Sequence, residues 1–139
     1  MTAADAVAVA ALTAELGYPT DAPQMHDRLA AILARPDDHA LLVAVNADDQ
    51  PIGWIHVALT HTLETEPMAT IAGLVVTELA RSAGIGRQLL EAGEAWARER
   101  SIPTMQVRSR MSRERAHRFY QREGYEHVKT SGVFRKPLE

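Results

Sequence analysis

The chain switches between two hydrophobic periods. Over residues 4–17, Val9, Leu12 and Leu16 recur at helical spacing, Asp5 suits a first turn and Gly17 is a stop signal. Residues 23–34 repeat the pattern with Met25, Leu29, Ile32 and Leu33 on one face, until Pro36-Asp37-Asp38 ends it. The period then shortens. Residues 40–46 (ALLVAVN) and 51–62 (PIGWIHVALTHT) read as strands joined by a hairpin turn at Asp48-Asp49-Gln50. Residues 68–76 (MATIAGLVV) predict another strand, with Gly73 as a bulge. Helical spacing returns over 83–100, with Ile85, Leu89 and Trp96 on the inner stripe. Ile102-Pro103 leads into a strand at 104–109. A helix at 112–122, capped by Ser112, ends before Gly124, and residues 125–129 and 132–136 predict two closing strands. Helices, then strands, then a β-α-β-α-β close predict one α/β domain over residues 1–139, with a mixed sheet flanked by helices.

The junction at residues 74–90, LVVTELARSAGIGRQLL, carries the first chemistry. An apolar strand end, Leu74-Val75-Val76, runs through a short polar turn into Arg81-Ser82-Ala83-Gly84-Ile85-Gly86, which opens a helix. Small residues there leave backbone N–H groups uncrowded at the positive end of a helix dipole, the usual setting for a phosphate. Arg81 and Arg87 bracket the turn and add charge-assisted donors. A Walker A loop needs Gly-Lys-Ser/Thr after four spacers and is absent; Gly84 and Gly86 are followed by Leu89, so the three-glycine dinucleotide fingerprint fails too. The plain alternative is a helix cap with glycines for close packing.

Composition narrows the classes. The chain has 139 residues, no cysteine and a net charge of −3, so disulfides, thiolate nucleophiles and Cys-ligated metals are excluded. Its six histidines are scattered and give no metal constellation. There is no run of 18 apolar residues for a membrane span. The alanine-rich start holds Asp5 and no basic stretch, unlike a signal peptide, and a cytoplasmic protein is expected. The charge is uneven: −9 over residues 1–80 and +6 over residues 81–139. A basic half suits a phosphate-rich ligand, and an acidic half suits a cationic one. No aromatic series or zinc spacing accompanies the basic half, so nucleic acid is not an expected partner.

Residues 116–125 read AHRFYQREGY. This resembles the Ala-x-x-Phe-Tyr-x-x-x-Gly-Phe/Tyr signature of the GNAT superfamily of acetyl-CoA-dependent N-acetyltransferases. The Arg-x-x-Gly-x-Gly turn after Leu-Val-Val resembles that superfamily's coenzyme A loop, and the resemblance covers about residues 5 to 138. It implies the GNAT acyl-CoA N-acyltransferase fold, with a mostly antiparallel central sheet. Members usually begin with a strand ahead of the first helix; here that first strand is missing. An unpaired sheet edge results, which another chain can fill, and a homodimer is expected.

The resemblance also implies roles. Acetyl-CoA is the cosubstrate, with its pyrophosphate held by Arg81, Ser82, Ala83, Gly84, Ile85, Gly86 and Arg87. Its pantetheine arm lies along Leu74, Val75 and Val76. Arg122 stands where the family often places a basic residue near the ribose phosphate; a solvated helix charge is the alternative. Tyr120 is the family's usual general acid, protonated at neutral pH and able to donate to the leaving thiolate. The base stays open: relatives often carry Glu where this chain reads Ile71-Ala72-Gly73, leaving His56, His61, Glu64 and Glu66, or a water-relayed route. Arg110 replaces the asparagine frequent after Ser109 in relatives. The expected acceptor is the primary amine of a small cationic molecule. The competing reading is a non-catalytic acyl-CoA-binding module.

Overall fold

The computed structural model describes residues 1–81 and 83–139. Ser82, one of the expected cradle residues, lies outside the described residues. The chain divides into two compact units, Met1–Arg108 and Ser109–Glu139.

In the first unit a short 3-10 turn at Ala3–Asp5 leads into α1 (Ala6–Glu15). Gly17 then adopts φ 97°, a left-handed value that glycine takes without steric cost. Helix α2 (Ala22–Leu33) begins at Asp21, whose carboxylate accepts from the Gln24 N–H at 2.8 Å. The Gln24 side chain bonds back to the Asp21 N–H, closing a capping box. Val9, Leu12, Met25 and Leu29 are buried, as their spacing predicts.

The sheet runs β1 (His39–Val45), β2 (Pro51–Thr60), β3 (Met68–Val76) and β4 (Met105–Val107), in that spatial order. The first three strands are antiparallel, and β3 pairs with β4 in parallel. Helix α3 (Ile85–Glu99) makes the crossover between β3 and β4. No strand precedes α1 among the described residues, so β1 is a sheet edge. Between β2 and β3 the register slips: His56 faces Gly73 but Val57 faces Ile71, leaving Ala72 as the extra residue beside the expected bulge.

Antiparallel pairing fixes the two sheet faces. Ile55, Val57 and Ile71 lie toward α3 and are buried with Leu89 and Leu90. A Cβ at Gly93 of α3 would come within 3.1–3.3 Å of Val57, Ile55 and Met105, so only glycine fits there without displacement. The inner stripe of α3 is therefore Leu89, Leu90, Gly93 and Ala97. Ile85 and Trp96, expected on that stripe, are half-buried, and the Arg100 guanidinium stacks on Trp96 at 4.2 Å. On the opposite face Trp54 and Val75 join the α1–α2 core, with Leu41 packed against it. Each large apolar side chain so buried contributes about 1.5–3 kcal/mol.

In the second unit α4 (Glu114–Arg122) ends at Gly124, with φ 94°. Its N-cap is Arg113 with no side-chain cap; Ser112, the expected cap, falls in the preceding turn. The two closing strands expected at 125–129 and 132–136 are not formed. Val128, Val133 and Phe134 supply apolar character but remain exposed. Apolar alternation supplies a face, whereas a strand also needs a backbone partner.

Candidate active site

The parallel ladder between β3 and β4 is short. It covers Ala69–Ile71 on β3, and beyond Ile71 no strand pairs with that side of β3 among the described residues. The Thr77 N–H donates to the Ile52 carbonyl at 2.9 Å. Strand alternation then turns the backbone groups of Val75 toward β2, and those of Leu74 and Val76 toward the open side. Of the three residues expected to carry the pantetheine arm, Leu74 and Val76 thus offer outward backbone groups, and Val75 does not. The Val76 carbonyl already accepts from Arg81 Nε at 3.2 Å.

The open edge leads directly to the start of α3. Gly84 is its N-cap with φ 79°, a left-handed conformation that L side chains rarely adopt. Nothing lies within 4 Å of where a Gly84 Cβ would be, so glycine is required there by conformation and not by crowding. The Gln88 N–H bonds the Gly84 carbonyl at 3.1 Å. Helix geometry leaves the earlier N–H groups, at Ile85 and Gly86, without intrahelical partners. Ala83 is exposed beside them. Arg81 is tied to Val76 and lies 3.6 Å from Glu78, while Arg87 pairs with Glu91 at 3.1 Å along the helix. An extended ligand ending in phosphate matches this sequence of groups.

Within the second unit Tyr120 is half-buried on α4, edge-on to Phe119 at 5.1 Å and to Tyr125 at 5.7 Å. Burial pushes its phenol up to about 12, against the opposing pull of Arg113. It is therefore a proton donor over the whole neutral range. Arg122 is exposed, 3.5 Å from Glu123 and over the Phe119 ring. The Ser109 hydroxyl is buried without a hydrogen-bond partner.

The Acetyltransferase (GNAT) family matches residues 7–125. The chain belongs to that family. It is 32% identical to an aminoglycoside N(6')-acetyltransferase type 1 of Stenotrophomonas maltophilia, over 99% of this chain and 91% of the relative. It also shares its fold with two solved aminoglycoside N-acetyltransferases. One, AAC(6')-Iy in complex with CoA, has a TM-score of 0.85 at 19% identity, covering 99% of this chain and 92% of that one. The other, AAC(6')-Ih of Acinetobacter baumannii, has a TM-score of 0.83 at 17% identity, covering 100% and 96%. The protein is thus an acetyltransferase that draws on acetyl-CoA and delivers to an amine.

This acetyltransferase also carries a polar strip that the sequence did not reveal. Register places His39, Ala58, Thr70 and Gln106 in one row across the four strands, on the face away from α3. Gln106 Nε2 donates to the Thr70 hydroxyl at 3.0 Å, and Thr70 and Thr60 hydroxyls meet at 2.9 Å. At the other end His39 Nδ1 and His56 Nε2 are 2.9 Å apart. Burial, and secondarily the His39 charge, lowers the His56 imidazole to about 4. His61, Glu64 and Glu66 lie in the exposed loop after β2. The available signal was alternation: residues 54, 56, 58 and 60 share a face of β2, but only the pairing register brings them beside Thr70 and His39.

Among the described residues, no group of three or more His, Cys, Asp or Glu is placed to hold a metal, and no helix is long and apolar enough to cross a membrane.

Proposed function

We propose that this acetyltransferase moves the acetyl group of acetyl-CoA to a primary amine of a small cationic molecule of the aminoglycoside type. The observation that carries the reading is the open edge of β3 running into the glycine-started helix α3. Outward backbone groups at Leu74 and Val76 pair with an extended amide arm, as in strand addition. The first N–H groups of α3 take the pyrophosphate, with Arg81 and Arg87 contributing positive charge. Ala83 belongs to the same turn, Ser82 is assigned to the cradle from the sequence alone, and Arg122 serves the ribose phosphate.

In this reading the amine lone pair attacks the thioester carbonyl, the C–N bond forms and the C–S bond breaks. Tyr120 gives its proton to the departing sulfur, a role supported by its raised phenol. The acceptor class rests on the relative at 32% identity and on the acidic first half of the chain. A homodimer belongs to the same reading: edge strand β1 contains no Lys, Arg, Asp, Glu or Pro, and so lacks the usual protection against pairing.

The test is a thiol-release assay with acetyl-CoA and neamine, with the product identified by mass. A single acetyl group on neamine is expected. Acetyl-CoA binding without transfer to neamine or to other polyamines would return the chain to the acyl-CoA-binding class.

A further inference from the structure

All four strands together contain only two titratable side chains, His39 and His56, and these two are in contact. Their rings stand 5.1 Å apart between centroids, with the nitrogens at 2.9 Å. His56 is the register partner of Gly73, which lies two residues beyond Ile71, the last residue of β3 paired with β4. Adjacent strands lie about 4.8 Å apart, so the His56 backbone is one strand away from the open edge. The Trp54 ring covers Gly73 so closely that a Cβ there would sit 2.6 Å from it. Ala58, the next residue on the same face of β2, is small. His39, at the far side of the pair, lines an apolar groove of about 320 Å³ beside β1, with Leu33, Leu41, Trp96 and Arg100.

Resting on the function proposed above, we propose that His56 removes the proton from the acceptor ammonium and passes it through His39 to the solvent of the groove. The pair has the geometry of a relay. His56 Nδ1 accepts the proton from the amine, directly or across one water. The Nε2 proton of His56 moves to His39 Nδ1, and His39 Nε2 releases one proton outward. One proton enters, one leaves, and the amine keeps the lone pair that forms the C–N bond. Burial holds His56 neutral, so it hands charge on instead of storing it. His56 is thus the catalytic base and His39 a positioning residue. Of the charged groups on neighbouring elements, Arg100 of α3 lines the same groove as His39. Asp38, ahead of β1, is bound to Arg35 at 2.8 Å. Strands β3 and β4 bring no titratable group.

The experiment compares wild type, His56→Gln, His56→Ala and His39→Gln, with acetyl-CoA and neamine across a pH series and acetyl-CoA affinity measured alongside. The relay predicts a loss of roughly 100-fold in kcat/KM for His56→Gln at neutral pH, with unchanged acetyl-CoA affinity. It predicts a smaller loss for His39→Gln. The wild-type profile should rise through about pH 4, where the buried His56 loses its proton, and level off before neutral pH, whereas that of His56→Gln keeps rising as hydroxide takes over. Added imidazole should restore part of the His56→Ala rate. Variants with wild-type rates and profiles overturn the relay, as does a loss that imidazole leaves untouched and that keeps the wild-type profile. If wild type itself transfers nothing to neamine, the proposed function fails first and the relay falls with it.

Discussion

The two ends of β3 are built differently. At Ala69–Ile71 the strand is laddered to β2 on one side and to β4 on the other, and Ala69 and Ile71 are buried. From Leu74 to Val76 it is laddered to β2 alone and runs on toward the left-handed Gly84. The bulge at Ala72 separates the two regimes. Where both edges are satisfied, the strand contributes stability. Where one edge stays open, unpaired backbone groups remain for a ligand, because buried amides require partners. In the proposed reading, fold stability and cosubstrate binding are thus divided along one strand.

That division can be broken from either side. Ile71→Ala removes a buried side chain at the closed end and should lower stability by about 2–5 kcal/mol, read by urea denaturation, while folded molecules still bind acetyl-CoA. Tyr120→Phe changes no residue of β3; acetyl transfer to neamine should fall roughly 100-fold with acetyl-CoA affinity and stability nearly unmoved. At the junction Gly73→Ala forces a methyl group into the Trp54 ring at 2.6 Å. It should cost about 1–3 kcal/mol and weaken acetyl-CoA binding as well, since Gly73 lies on the open stretch of β3.

A separate effect concerns pH. His56 is lowered from 6.5 to about 4, first by burial and then by His39. Between those values the unfolded chain binds more protons than the folded one. This contribution to stability is full above about pH 6.5 and is lost as the pH falls toward about 4. His56→Gln should flatten that part of a stability–pH curve.

The sequence made some features plain and left others hidden, for physical reasons. Strong periodicity and terminal signals placed α2 with Met25 and Leu29 inward, and Gly17 and Gly124 as helix stops. The bulge was expected at Gly73 and occurs one residue earlier. Short local motifs marked the Gly84 turn and Tyr120. What local pattern cannot carry is pairing. The alternation beyond Tyr125 read as two strands, yet Val128 and Phe134 are exposed. The His39–His56 contact joins residues of two strands through register, which no spacing within either strand encodes. Nor does spacing within α3 show why Gly93 stands there; the side chains of Val57, Ile55 and Met105, which leave no room for a Cβ, explain it.

The central claim is that acetyl-CoA is held where the open end of β3 meets the start of α3. The direct measurement is calorimetric titration of acetyl-CoA into wild type and Gly84→Val, with helix content checked by circular dichroism. A β-branched residue at φ 79° disfavours this helix start by about 1–2 kcal/mol. One-site binding to wild type is expected, with affinity weakened about tenfold in the variant, which keeps its fold. Equal affinities, or no binding to wild type, would contradict that claim.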